Sequence, residues 1–150
     1  MEFEFSETDQ NFRQEVRVWL EVNVPRDRRP LCGPEMRTFD LDWQHRKWKR
    51  GWAAVSWPKE YGGASLSLVQ QMIWFEELAL AGAPDVGCLS IALGHAGPTV
   101  MLRGTPEQKA FHLPKILRGD VVWCQGFSEP QAGSDLGALR IKAQIDGDDL

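Results

Sequence analysis

Through Arg118 the apolar residues recur at helical spacing, and from Val121 onward they alternate. Phe12, Val16, Trp19 and Leu20 form one stripe, which predicts a helix over 6–24. Ser6 and Asp9 have the spacing of a capping box, and Pro25 ends the helix. Residues 25–38 are expected to be a loop, with Arg26, Arg28 and Arg29 solvated between Pro25 and Pro30. Asp40 is expected to cap a second helix running to about Trp52. Its buried face would hold Leu41, His45, Trp48 and Trp52, and its solvent side Arg46, Lys47, Lys49 and Arg50. A turn follows at 57–63, marked by Pro58 and the Gly62-Gly63 pair.

Ser67 and Gln70 predict a capped third helix to about Ala81, with Leu68, Met72, Phe75 and Ala79 on its apolar face and Val69 and Ile73 widening it. Asp85 opens a fourth apolar helical stretch over 86–93. A break is expected at 94–98, then a short helix to Arg103. Thr105-Pro106-Glu107-Gln108 combines a cap, a proline in the first turn and a closing glutamine. That helix is expected to bend or end at Pro114, with Gly119 as a stop. Residues 121–127 are β-branched and aromatic and predict a strand. Leu139, Ile141, Ala143 and Ile145 alternate with Arg140, Lys142 and Gln144, and Asp146-Gly147 is a hairpin signal. Only Asp148, Asp149 and Leu150 follow that turn, so the chain is expected to stop inside a β unit. The pattern thus divides the chain into a helical domain at 1–119 and an incomplete β-domain at 120–150.

Composition narrows the class. With 150 residues, 43% hydrophobic and 25% charged, the chain suits one soluble domain and the start of another. A net charge of -4 speaks against a nucleic-acid or anionic-membrane surface. No stretch approaches the roughly 20 apolar residues of a membrane span. Cys32, Cys88 and Cys124 are odd in number and widely spaced, which points away from disulfides or zinc and toward the cytoplasm. The acidic N-terminus is no secretory signal. Phosphate-loop, dinucleotide, zincin and nucleophile-elbow motifs are all absent from the sequence. His45 reads as a packing residue and His112 as a surface one. His95, among glycines, is the histidine with functional potential.

The informative stretch runs from Gln125 to Asp135 and reads QGFSEPQAGSD. It joins a strand end to a loop of small residues and free hydroxyls, where backbone N–H groups can approach an anion. The stretch closely resembles the signature of the flavin-dependent acyl-CoA dehydrogenases. The turn at 57–63 and the Gly104-Thr105-Pro106-Glu107-Gln108-Lys109 run resemble further family motifs, in the right order, and Glu76-Glu77 fits as well. The resemblance covers nearly the whole chain, and the form around Trp123-Cys124 looks like the actinobacterial branch.

That resemblance implies an N-terminal helical domain followed by the first strands of a β-barrel-like middle domain. It implies FAD as cofactor, α,β-dehydrogenation of an acyl-CoA substrate, an electron-transfer flavoprotein as acceptor and a homotetramer when full length. By motif position Gln125, Phe127 and Ser128 would contact the flavin, with Ser128 near its reducible edge. Gly133 and Ser134 would lie by the FAD and CoA chains, and Ser134 would touch substrate. Gln131 stands where many members carry glycine, which a negative φ would permit. The stretch from Leu89 to Gly97 would line the acyl-chain pocket, with His95 reaching it. No acid here matches the catalytic glutamate, which is expected beyond Leu150; Glu76 and Glu77 read as salt-bridging residues. Alternatives are a related acyl-CoA oxidase or flavin monooxygenase, and a non-catalytic helical subunit that docks on a full-length dehydrogenase.

Overall fold

Ser6 opens helix α1 (Glu7–Asn23) with the expected capping box: its Oγ accepts the Asp9 N–H at 3.2 Å, and the Asp9 carboxylate accepts the Ser6 N–H at 3.3 Å. The computed structural model describes residues 4–126, 128–142, 144 and 147. Along α1, Phe12, Val16 and Leu20 are buried as the stripe predicts. Half-buried Trp19 meets Trp43, Trp52 and Trp74 at ring separations of 5.5, 5.4 and 6.1 Å, within the range of favourable aromatic pairs.

Helix α2 (Gly33–Arg50) departs from expectation. It begins well before Asp40, after Cys32 and with a proline in its first turn, where the missing N–H loses no helical bond. Asp40 is no cap. It sits within the helix, 2% exposed, and takes both Nε and Nη2 of Arg29 at 2.6 and 2.7 Å. Arg29 is therefore not part of a solvated loop. The buried face is Asp40, Trp43, Gln44 and Lys47, whereas Trp48 is 37% exposed. The expected apolar and cationic sides are thus partly exchanged. Asp40 and Gln44 hold the interior because each has a tertiary partner that periodicity does not encode. Gln44, for example, donates from Nε2 to the carbonyls of Ala53 and Leu117, although its Oε1 has no partner.

Helix α3 (Leu68–Leu80) has its predicted capping box, but of the expected apolar face only the widening side of Val69 and Ile73 turns inward. Leu68, Met72 and Phe75 are exposed, while Ile73, Trp74 and Glu77 are buried. Both sides of α3 are apolar, so the choice falls to partners: Glu77 reaches Arg13 and Arg17 of α1, against which α3 packs.

The expected break at 94–98 is absent. A 3-10 turn (Gly87–Leu89) leads into a π-helix (Ala92–Ala96) that runs directly into α4 (Gly97–Arg103). A π-turn would bond the Leu93 carbonyl to the N–H of residue 98, which is a proline and has none. The Trp57 indole Nε1–H donates to that carbonyl instead, at 3.2 Å. Gly97 permits it, since a Cβ there would stand 2.1 Å from Trp57 Cζ2. Helix α5 (Pro106–Arg118) starts at the Thr105 cap as predicted, passes through Pro114 and stops at Gly119. His112 is half-buried rather than on the surface, its ring 5.3 Å from that of Trp123.

Two cores result. Phe12, Val16, Leu20, Trp43, Trp52, Val55, Ile73 and Trp74 form one, and Ala53, Ala54, Trp57, Leu89, Ala92, Leu113, Ile116 and Leu117 the other. Residues 52–57 run between them and divide their side chains.

Past Gly119 the described residues contain no strand. Residues 121–126 adopt no regular element, and Val121 and Trp123 pack on the second core. A strand is defined by the neighbour it bonds to, and none is present among the described residues. The isolated bridge between Glu129 and Ala132 is the β pairing they contain. Phe127, Ala143, Ile145 and Asp146, on which parts of the strand and hairpin expectations rest, lie outside the described residues.

Candidate functional site

A cavity of about 490 Å³ opens where residues 52–57 meet α3 and the 83–94 segment. That volume is ordinary for a small-ligand pocket. Its walls are Trp52, Trp57, Trp74, Phe75 and Leu78, with Leu93 and Gly94 contributed by the stretch expected to line an acyl pocket. His95 is exposed on the π-turn and does not line it.

The far wall is tied to α2 by two bonds. Trp43 Nε1–H donates to the Pro84 carbonyl at 3.0 Å, and the Cys88 N–H donates to Asp40 at 2.9 Å. Gly87, at φ 57°, lets the turn close, because a Cβ would fall 2.3 Å from Asp40 Oδ2. Burial pushes the Asp40 carboxyl up, but the Arg29 guanidinium and the Cys88 N–H outweigh it and hold it below the usual carboxylate range. Burial, then the Asp40 charge, keeps the Cys88 thiol above its usual value, so it is a poor nucleophile.

Sequence reasoning missed Lys47. It is 8% exposed, lines the cavity, and makes no side-chain hydrogen bond or ion pair; its Nζ stands 5.6 Å from the Trp43 ring centroid. Burial lowers its pKa to about 8. Its position seven residues after Asp40 on one helical face was visible, but a lysine reads by default as solvent-facing. A folded pKa below the unfolded value means the unfolded chain binds the proton better between about 8 and 10.5. The fold therefore bears the full penalty below about pH 8 and loses it as pH rises toward 10.5. Lys47→Met is expected to stabilise the fold at pH 7 by roughly 3 kcal/mol. The gap to wild type should shrink by pH 10, as paired urea denaturations at the two pH values would show.

The second candidate element is the 125–135 loop. Glu129 and Ala132 exchange backbone hydrogen bonds at 3.2 and 3.0 Å, closing a turn over Pro130-Gln131. The Glu129 carboxylate accepts the N–H groups of Arg140 and Ile141, which draws residues 129–141 together. Ala132 is fully buried. Gln131 is absent from the positive-φ residues, so it fits the turn without strain. Gln125, Ser128, Gly133 and Ser134 are all exposed, and Phe127 lies outside the described residues. The structure thus gathers Gly133 and Ser134 into the Glu129-closed loop and leaves Gln125 and Ser128 ahead of it. A Cβ on Gly133 would meet nothing within 4 Å, so the backbone there is open to approach. Exposed hydroxyls, an amide and an open glycine backbone are donors suited to the polar edge and phosphates of a flavin nucleotide.

Among the described residues no group of acidic, histidine and cysteine side chains could hold a metal ion, and no helix is long and apolar enough to cross a membrane.

A helical domain with this capping pattern, an aromatic cavity and the QGFSEPQAGSD loop defines an acyl-CoA dehydrogenase N-terminal region. Residues 6–120 match the family model described as acyl-CoA dehydrogenase, N-terminal domain, and the chain belongs to that family. It is 38% identical, over 99% of its length, to acyl-CoA dehydrogenase FadE26 of Mycobacterium tuberculosis. It also resembles the crystal structure of the ChsE4-ChsE5 complex from Mycobacterium tuberculosis, with a TM-score of 0.76, 36% identity and 99% of this chain covered. A third similarity is to the structure titled Tcur3481-Tcur3483 steroid ACAD, with a TM-score of 0.74, 34% identity and 99% coverage. The chain spans 38%, 37% and 38% of those three proteins, respectively.

Proposed function

We propose that this chain supplies the helical domain, residues 1–119, and the beginning of the middle β-domain, residues 120–150, of an FAD-dependent dehydrogenase acting on bulky acyl-CoA thioesters. The observation that carries the reading is the tryptophan-walled cavity, built partly from Leu93 and Gly94, in a chain that also bears the 125–135 loop. Broad aromatic walls suit a flat or branched acyl group, in keeping with the steroid ACAD similarity.

Within that reading, Ser128 donates its hydroxyl toward the flavin ring and Gln125 and Phe127 flank it. Gly133 offers its backbone and Ser134 its hydroxyl to the cofactor and CoA chains, whereas His95, outside the cavity, has no part in holding the acyl group. A bound flavin supplies acceptance of a hydride from the acyl β-carbon. Glu76, Glu77 and Asp40 do not serve as the α-proton base. Glu76 and Glu77 are committed to Arg13 and Arg17, and Asp40 to Arg29. The base belongs to the C-terminal helical domain of the family, and an electron-transfer flavoprotein reoxidises the flavin.

The test is a chimera in which residues 1–150 replace the corresponding segment of FadE26. It should bind FAD and reduce a dye with an acyl-CoA, and Ser128→Ala should lower its turnover about tenfold or more. A chimera that folds and neither holds FAD nor turns over sinks the reading. The chain alone, with its loop exposed, should fail to retain FAD through gel filtration.

A second reading, a helical subunit docked on a full-length dehydrogenase, has specific support. Leu68, Met72 and Phe75 of α3 form an exposed apolar face, and the ChsE4-ChsE5 neighbour is a complex of two named components. Co-purification with a longer dehydrogenase chain would favour it.

A further inference from the structure

We infer that the tryptophan-walled cavity binds an apolar group bearing a hydrogen-bond-accepting oxygen on its buried end, and that Lys47 recognises that oxygen. The inference deepens the reading of the cavity as an acyl pocket and rests on it. Acyl groups with a ketone, hydroxyl or carboxylate oxygen on their buried end are selected over plain hydrocarbon ones.

The argument starts from what Lys47 lacks. An ammonium carries three donors, and burying donors unmet is unfavourable. Lys47 is 8% exposed and lines the cavity, where its ammonium has no hydrogen-bond partner from the protein. The charges acting on it are the Asp85 and Asp40 carboxylates, and neither forms an ion pair with it. Asp40 is filled by Arg29 and the Cys88 N–H. Asp85, also on the cavity lining, is exposed and accepts its neighbour Val86 N–H at 2.6 Å. The Trp43 ring, at 5.6 Å, is near the outer limit of a cation–π contact. Lys47 therefore links no two parts of the fold, and a purely structural role has nothing to act through.

The surroundings indicate the ligand. Trp52, Trp57, Trp74 and Phe75 offer flat apolar surface, and Lys47 is the cationic residue of the lining. The lining also carries the Ser56 and Ser90 hydroxyls and the Asp85 carboxylate, so Lys47 is its one cation rather than its one donor, and a cation beside flat apolar surface selects a ligand with a matching acceptor. The oxygen can be neutral or anionic, and the test separates the two.

Equilibrium dialysis of the full chain would compare 2-ethylnaphthalene with its ketone counterpart 2-acetylnaphthalene and with 2-naphthoate. The ketone should bind about tenfold or more tightly than the hydrocarbon, the size expected of a hydrogen bond to a charged donor. A further gain for 2-naphthoate marks the anionic form of the ligand, and a ketone equal to or better than the carboxylate marks the neutral form. Lys47→Met should abolish the preference and keep hydrocarbon binding. On the unmutated chain, the Lys47 ζ-nitrogen resonance should move with the ketone and stay still with the hydrocarbon, which tests the idea even if the variant misfolds. Equal affinity of the hydrocarbon and both oxygenated probes, or a preference that survives Lys47→Met, overturns the inference while leaving the acyl pocket intact. If none of the three probes binds, the pocket reading and the inference fail together.

Discussion

Replacing Asp40 with alanine should destabilise the fold by about 3–5 kcal/mol, the usual effect of breaking one side of a buried ion pair. The carboxylate is 2% exposed and accepts three hydrogen bonds, two from Arg29 at 2.6 and 2.7 Å and one from the Cys88 N–H at 2.9 Å. Its loss strands a backbone donor and a guanidinium at once. The Arg29 side chain is 35% exposed and can turn partly to water, which places the effect toward the lower end of that range. Asp40→Asn keeps an acceptor for Cys88 and should lose roughly half as much. Urea midpoints of the three proteins measure this. Equal stability of wild type and alanine variant would show that the bridge is not formed. The turn that Asp40 holds is a cavity wall, so probe binding should weaken in the same variants. Because the folded carboxyl lies below its usual 3.8, its contribution is complete above that value and is lost as pH falls through the lowered one.

Glu77→Ala should be comparably damaging, again about 3–5 kcal/mol. Glu77 is 3% exposed and joins two guanidinium groups of α1 to α3: Oε1 accepts Arg13 at 2.6 Å and Arg17 at 3.0 Å, and Oε2 accepts Arg17 at 2.7 Å. Alanine leaves Arg13 with Glu76 alone, while Arg17, 49% exposed, can turn to water, which places the effect toward the lower end of that range. The neighbouring Glu76 also bonds Arg13 at 2.6 Å, but it is 54% exposed. Glu76→Ala should therefore change stability by less than about 1 kcal/mol. A matched pair of thermal or urea melts separates burial from mere proximity, since the two acids share a partner. If both variants melt alike, the buried bridge contributes nothing beyond a surface one. Burial raises the Glu77 carboxyl, and Arg17 and Arg13 more than reverse that, so this stabilisation too is whole above its usual 4.5 and fades on acidification.

These two acids show where the sequence stopped being readable. Glu77 was expected to form salt bridges, and it does, but its partners lie sixty or more positions away. Asp40 has the composition and position of a cap and was expected to be one. The structure buries it because Arg29 and the turn at Cys88 converge there. The α3 face was only partly legible for a related reason: Ile73 and Val69 turn inward as expected but Leu68, Met72 and Phe75 do not, because both sides of the helix are apolar and the tryptophan cluster with the Glu77 bridge selects between them. Lys47 is the sharpest case, since intrinsic polarity assigns it to solvent and only the packing of residues 52–57 against α3 and the 83–94 segment encloses it. In the candidate site, Leu93 and Gly94 were expected to line an acyl pocket and Trp52 to be buried, whereas nothing in the pattern brought Trp57 and Trp74 to the same cavity.

The capping boxes at Ser6, Ser67 and Thr105, the stop at Gly119 and the core stripe of α1 were fixed by the sequence itself. Each is closed within a few residues or one helical face, so the chain encodes it locally. The tertiary structure alone decided the start of α2, the inward face of α3, the continuous helix through Pro98 and the burial of Lys47. Each depends on a distant group, such as the Trp57 indole that replaces the N–H missing at Pro98, and a hydrogen bond or contact of that range leaves no periodic trace in the sequence.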